Sequence, residues 1–181
     1  MTARRSNSVR IIGGEFRRRL LHFPDLPGLR PTPDRVRETL FNWLGQRLDG
    51  QTCLDAFAGS GALGFEAASR GAAKVVMLEQ DGRALEALRR NVEELGAKNV
   101  DIVRTDALAW LRNRTERFDL VLLDPPFEAG LLEPALRLAA TGLNSGGRIY
   151  AEGPRDLSCE GLVVTRSGRS GRSHYSLMEP A

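Results

Sequence analysis

The chain has 181 residues, 41% of them hydrophobic and 27% charged, which suits one soluble globular domain with a small appendage. It holds no run of about 18 or more apolar residues, so no transmembrane helix is expected, and no apolar stretch follows the basic start Met1-Thr2-Ala3-Arg4-Arg5 to make a secretory signal. Cys53 and Cys159 stand alone without metal-ligand spacing, so the expectation is a reducing cytoplasm, no disulfide and no metal site.

The net charge of +3 is unevenly spread: residues 1–50 carry ten arginines against five carboxylates, and all but two of the 26 basic residues are arginine. Arginine's planar fork suits bidentate phosphate contact. Arg10 and Arg17-Arg18-Arg19 sit near the start; Arg166, Arg169 and Arg172 crowd the end with no acid between them. Basic ends on a near-neutral body point to nucleic acid, with a solvated charged face as the alternative.

In chain order, residues 1–32 form an arginine-rich extension. Val9 to Ile12 is strand-like, Gly13-Gly14 signals a turn, and Phe16 to Leu21 pairs back as a hairpin. Prolines 24, 27, 31 and 33 then break regular structure. Residues 33–181 make the main domain. Thr32-Pro33-Asp34 opens a helix to about Leu48, with Val36, Leu40, Phe41, Leu44 and Leu48 at helical spacing. Trp43 belongs to the core rather than to a base-stacking platform. From residue 52 strands and helices alternate: strands at Thr52–Phe57, Lys74–Glu79, Val100–Arg104, Phe118–Leu123 and Arg148–Glu152; helices at Gly61–Arg70, Gly82–Leu95, Leu108–Leu111 and Leu131–Leu143. Short, nearly all-apolar strands in this rhythm predict a parallel, doubly wound α/β sheet with helices on both faces. Leu162–Arg166 and His174–Met178 look like a closing antiparallel hairpin. Glu66, inside the first of these helices, is expected to be solvated or paired with Arg70. His22 and His174 are isolated and are assigned no chemistry.

Asp55-Ala56-Phe57-Ala58-Gly59-Ser60-Gly61 joins a strand to its helix, where glycines let the backbone approach a ligand. Gly59, Gly61 and Gly64 also satisfy the dinucleotide pattern. Asp55 argues against a dinucleotide, because a carboxylate would repel the pyrophosphate there. S-adenosylmethionine (SAM) instead carries an ammonium and a sulfonium, with a carboxylate that can sit near the helix N-terminus. Glu79, ending the next strand, can hold both ribose hydroxyls of either cofactor. Asp106 can accept from an adenine amine or serve as a helix N-cap.

Leu123-Asp124-Pro125-Pro126-Phe127 closes the fourth strand of the alternating series. Two prolines fix two φ angles and remove two donors, leaving a stiff loop rich in acceptors. Phe127 offers a flat apolar face. The arrangement fits a planar base bearing an amine: Asp124 and the Pro125 carbonyl accept its two hydrogens while Phe127 stacks. The amine lone pair is then aimed at the SAM methyl, and catalysis is chiefly positioning and electrostatics.

These residues resemble the bacterial 16S rRNA guanine-N2 methyltransferases of the RsmD type over roughly residues 9–153. The marks are Arg10-Ile11-Ile12-Gly13-Gly14, the stretch from Gly28 to Asn42, Asp55 to Gly64, and Asp124 to Phe127. The resemblance implies a Rossmann-like class I fold with a seven-stranded, mostly parallel sheet and a small N-terminal β-hairpin. It implies SAM as cofactor and N2 of a guanine in 16S rRNA, of the guanine-966 type, as target. The partner would be the small ribosomal subunit or an assembly intermediate, and the protein a cytoplasmic monomer. Asp55, Phe57, Gly59, Gly61, Glu79, Gln80, Asp106 and Ala107 match the cofactor-binding motifs, with Arg30 and Thr32 in the wall beside them. Asp124, Pro125, Pro126 and Phe127 match the catalytic loop. The basic hairpin would grip RNA, although Arg17-Arg18-Arg19 departs from the family's usual Arg-Gly-Arg. Rival readings are an adenine-N6 methyltransferase, a nicotinamide-dependent oxidoreductase, and a non-enzymatic RNA-binding assembly factor.

Overall fold

A computed structural model describes residues 6–181, so Arg4 and Arg5 of the basic start lie outside the described residues. The chain opens with β1 (Ser6–Arg10) and β2 (Leu20–Pro24), then α1 (Asp34–Trp43). The alternating part runs β3 (Thr52–Asp55), α2 (Ala62–Ser69), β4 (Lys74–Glu79), α3 (Gly82–Leu95), β5 (Val100–Arg104), α4 (Ala107–Asn113) and β6 (Phe118–Leu123). A 3₁₀ turn (Phe127–Ala129), α5 (Leu132–Ala140), β7 (Leu143–Gly153), β8 (Leu162–Ser170) and β9 (Ser173–Pro180) complete it.

Seven strands form one sheet in the order β5-β4-β3-β6-β7-β9-β8, while β1 and β2 pair separately. The five strands from β5 to β7 are parallel, and β9 enters antiparallel between β7 and β8. Val75 to Leu78 and Leu120 to Leu123 are all buried, as the continuous apolar runs of a doubly covered sheet require. The strand order reverses beside β3, so the carboxyl ends of β3 and β6 open a crevice. α3 shows how local sequence sets these boundaries: Asp81 caps it, accepting from the amides of Arg83 and Ala84, and Gly96 ends it at φ 64°.

α2 is buried along its whole length, with the sheet on one side and the N-terminal arm on the other. That accounts for Glu66, which was expected to be solvated or paired with Arg70. It is fully buried, and its carboxylate accepts from the amides of Ile12 and Gly13, from Arg37 and from Arg70. A buried carboxylate persists only when its lone pairs are filled in this way. The arm continues along α2: the Phe16 amide donates to Ser69 Oγ, and the Glu15 amide to the Ser69 carbonyl. Val9, Ile11, Phe16, Leu21 and Phe23 join the same core as α1 and α2.

Several expected boundaries move, β7 among them, which begins at Leu143 rather than Arg148. The hairpin pairs Ser6–Arg10 with Leu20–Pro24, outside the expected Val9–Ile12 and Phe16–Leu21, because Glu66 takes the Ile12 and Gly13 amides. The helix expected to reach Leu48 ends at Trp43, where Gly45 (φ 88°) and Gln46 (φ 70°) turn the chain left-handed. Leu48 remains buried through that turn, and the half-buried Trp43 packs on Tyr175 at 5.5 Å. The strand expected to end at Phe57 ends at Asp55, where the glycine loop begins.

Candidate active site

A cleft of about 990 Å³ lies at the carboxyl ends of the parallel strands. Its walls are residues 26–33, the glycine loop after β3, Leu78 to Asp81 after β4, Thr105 to Ala107 after β5, the Asp124 to Ala129 turn after β6, and Glu152 at the end of β7. Arg30, Thr32, Asp55, Phe57, Gly59, Glu79, Gln80, Asp106 and Ala107 therefore share one cavity with Asp124, Pro125, Pro126 and Phe127.

Asp55 is 1% exposed and held by the Gly64 amide at 3.0 Å, while its Oδ1 has no hydrogen-bond partner among the described residues. Burial pushes its carboxyl up to about 7; the amides of Gly64 and Phe57 pull it down and the charge of Glu79 raises it further. Such an orphaned acceptor awaits a donor or a cation. Gly61, at φ 82°, forms the bend above it, and a Cβ there would meet Phe65 and Leu88 at 2.6–2.8 Å. Gly64 is not a phosphate-facing residue: it lets α2 approach the sheet and offers its amide to Asp55.

Glu79 braces the same loop. Its Oε2 accepts from the Gly59 amide at 2.9 Å, and Oε1 from the amides of Gln80 and Asp81. Oε2 retains a lone pair for a ligand hydroxyl, whereas the two amides fill Oε1. Asp106 caps α4 through the Ala109 amide at 2.8 Å, so its N-cap role is present whatever else it binds. Asp55, Glu79, Asp81 and Asp106 along one wall make a cavity fitted to a cation and hostile to a pyrophosphate.

Asp124 closes the other side. Thr32 donates to its Oδ2 at 3.0 Å. Burial pushes its carboxyl up to about 8, the nearby Glu152 adds to the rise, Thr32 opposes it, and Asp55 adds a smaller increment. Phe127 is 39% exposed, an apolar ring left open beside the acid.

The fold agrees with comparisons to known proteins. A family model described as "Conserved hypothetical protein 95" matches residues 9–179. A curated Haemophilus influenzae protein, ribosomal RNA small subunit methyltransferase D, is 42% identical over 98% of this chain and 97% of its own length. The Escherichia coli K12 protein of that name is 49% identical over 74% of this chain and 67% of its own. The solved structure of Escherichia coli yhhF superposes with TM-score 0.86 at 40% identity, covering 96% of this chain and 98% of that one. The chain belongs to the ribosomal RNA small subunit methyltransferase D family. It is a SAM-dependent methyltransferase of class I fold, with the expected seven-stranded sheet and N-terminal hairpin.

This methyltransferase does not gather the arginines assigned to RNA on one surface. Arg169 precedes the β8–β9 turn and Arg172 sits in it; Ser173, next along, bonds Glu152 of the cleft at 2.5 Å, while neither arginine lines the cleft. Arg166 is exposed further along β8. Arg17, Arg18 and Arg19 are exposed at the opposite edge of the sheet. There Arg19 donates to the Glu94 carbonyl in the last turn of α3, at 2.7 Å. α3 spans 14 residues, so its last turn lies roughly 20 Å from the end that lines the cleft. Arg10 is exposed at the end of β1, and its carbonyl accepts from Arg37.

Sequence reasoning assigned no role to Glu152, which is 6% exposed and lines the cleft. It is fixed by the Tyr150 hydroxyl at 3.0 Å and by Ser173. The available signal was an acid at the carboxyl end of the strand beside Asp124. Arg37 was also missed. It is fully buried and donates to the carbonyls of Thr32 and Arg10 and to Glu66, joining the cleft wall to the arm.

Proposed function

We propose that this enzyme methylates the exocyclic N2 of a guanine in 16S rRNA, of the guanine-966 type. The observation that carries the reading is Asp124, a half-buried acid on a proline-stiffened turn, sharing one cavity with the acidic glycine-loop wall. Names of the curated relatives supply the rRNA and the small subunit. Asp55 and Glu79 hold the cofactor, Asp55 toward its positive charge and Glu79 toward its ribose. Asp106 and Ala107 flank the adenine, Phe57, Gly59, Gly61 and Gln80 shape the loop around it, and Arg30 and Thr32 wall it in.

When bound, SAM supplies an electrophilic methyl group on a sulfonium. The protein's own part is positional. Phe127 stacks on the base, while Asp124 and the Pro125 carbonyl accept the two amine hydrogens, so the nitrogen lone pair is turned toward the glycine loop. Asp55 and Glu79 would hold the methyl donor, and the amine, once methylated, would be cationic. Asp124 then takes the excess proton, a task suited to a carboxyl with a raised pKa.

Basic residues on both edges serve the RNA. Arg169 and Arg172 hold phosphates beside the flipped base, and Arg10, Arg17, Arg18, Arg19 and Arg166 hold flanking strands. The substrate is a small-subunit particle or assembly intermediate in the cytoplasm, and the enzyme acts as a monomer. No helix among the described residues is long and apolar enough to cross a membrane, and no metal-binding cluster occurs among them.

The test supplies labelled SAM with free 16S rRNA and with small-subunit particles lacking the modification, then maps the labelled nucleotide. Label on guanine N2 is expected. Label on adenine N6, or on protein, rejects the assignment.

A further inference from the structure

Asp124 is not the only acid facing the base pocket. Leu123 pairs with Ala151 across the parallel β6–β7 ladder, so Asp124 and Glu152 come next in register on adjacent strands. Residues paired this way stand on the same face, with backbones about 4.8 Å apart. Both line the cleft, and the charge of Glu152 is felt at Asp124. Glu152 is held rigid, with Tyr150 donating to Oε2 and Ser173 to Oε1. Each oxygen keeps a further lone pair, and neither of the two donors fills it.

Two neighbouring acceptors-only groups are costly to bury together unless a ligand brings two neighbouring donors. Purine edges differ in this respect. Guanine presents N1–H beside its N2 amine, two adjacent donors. Adenine presents an acceptor, N1, beside its N6 amine. We infer that Glu152 accepts the N1–H of the target guanine while Asp124 holds its N2 amine, so the carboxylate pair selects guanine over bases with an unprotonated N1. The inference rests on the guanine-N2 reading above and deepens it. Sites built to bond a substrate hydrogen discriminate strongly against an analogue lacking it, because a buried group is left unpaired.

2-Aminopurine tests this directly: it keeps the amine at C2 but its N1 has no hydrogen. The full-length enzyme is assayed on small-subunit particles reconstituted with ligated 16S rRNA carrying guanine or 2-aminopurine at the target. The wild type should favour guanine by at least about 100-fold in kcat/KM. Glu152→Gln, whose amide can accept from N1–H or donate to a bare N1, should bring the two substrates within about tenfold. The ratio between substrates separates base reading from a merely structural role, which would lower both rates alike. Equal wild-type rates on the two bases overturn the inference without any variant. A Glu152→Gln enzyme that keeps the wild-type ratio overturns it as well. Failure of the wild type to methylate guanine at all rejects the functional reading instead.

Discussion

Thr32 and Asp124, 92 residues apart in the chain, meet through a hydrogen bond from Oγ1 to Oδ2 at 3.0 Å. Thr32 is buried, and its carbonyl accepts from Arg37 Nε at 3.0 Å. The hydroxyl is thus fixed from behind, and it stabilises the ionised form of the acid. The acids that oppose this are Glu152 from the neighbouring strand and Asp55 from β3; Tyr150 lies behind Glu152, its own hydroxyl held well above its ordinary pKa by burial and by Glu152 and Asp124.

Thr32→Val should therefore shift the pH dependence rather than abolish activity. Asp124 must be ionised to hold the amine, and its pKa of about 8 places the rising limb of kcat/KM below that pH at saturating SAM. Losing the donor raises that pKa further, so the limb moves to higher pH. A net hydrogen bond of about 1 kcal/mol corresponds to a loss of roughly fivefold at pH 7, recovered above pH 9. Profiles of the two enzymes that superimpose would count against the Thr32 role.

Asp124→Asn should separate catalysis from stability. Turnover should fall by about three orders of magnitude with SAM affinity largely kept, since the acid that aligns and deprotonates the amine is gone. The free protein should become more stable at alkaline pH. The folded-state pKa, about 8, lies above the ordinary 3.8, so the carboxyl's contribution is fully present below pH 4 and is lost as pH rises through 8. Asparagine removes that loss. At pH 9 the gain should be on the order of 2–3 kcal/mol, or several degrees in Tm, and it should vanish near pH 4. Thermal melts across this range decide the point.

How much of this was legible beforehand depends on how local each interaction is. The strand–helix rhythm, the glycine loop and the Asp124 turn were readable because each is a short run with its own chemistry. Asp55, Glu79, Asp106 and Asp124 were found at strand ends, and the fold brings strand ends together by rule. Glu66 was readable only in its pairing with Arg70, one turn on; its other three donors, from Ile12, Gly13 and Arg37, are distant in sequence, so its burial was not. Glu152 was missed for a related reason: its meaning lies in register with Asp124, which periodicity does not reveal. The hairpin register failed because a side chain on α2 took the amides that a local reading gave to a strand.

Asp55 should make cofactor binding proton-linked. Its carboxyl sits near pKa 7 in the free protein, with Oδ1 unpartnered among the described residues. A cationic ligand beside it favours the charged form, so binding near pH 6 should release up to one proton. Calorimetry in buffers of different ionisation enthalpy measures that number directly. Asp55→Asn should abolish the release and weaken SAM at least about tenfold. Release that persists in the variant would place the titrating group elsewhere.

Glu66→Gln should loosen the N-terminal arm. The change leaves Arg70 facing a neutral amide and Arg37 with only Asp34 as an acid partner, and breaking such a network costs up to about 3–5 kcal/mol. Because the glutamine amide offers one oxygen where the carboxylate offered two, one of the Ile12 and Gly13 amides loses its acceptor, and hydrogen exchange there should accelerate more than in β4. Uniform acceleration across the sheet would mean that the arm is not a separately opening unit.

The split placement of the arginines predicts two kinds of RNA defect. Arg17 and Arg18 lie at the far edge of the sheet, so Arg17→Ala with Arg18→Ala should weaken particle binding. The slope of log affinity against log salt should fall by about one for each phosphate no longer neutralised. Turnover at saturating particle should change little, because the base pocket is roughly 20 Å away along α3. Arg169 precedes the β8–β9 turn and Arg172 sits in it, next to the Ser173 that holds Glu152. Replacing both with alanine should cut the salt slope similarly but also lower kcat, since the phosphates they hold adjoin the base being methylated. Arg19 should contribute less than its neighbours, its guanidinium being already engaged by the Glu94 carbonyl. Equal kcat effects from the two edges would show that RNA touches both at the chemical step, and would remove the distinction drawn between them.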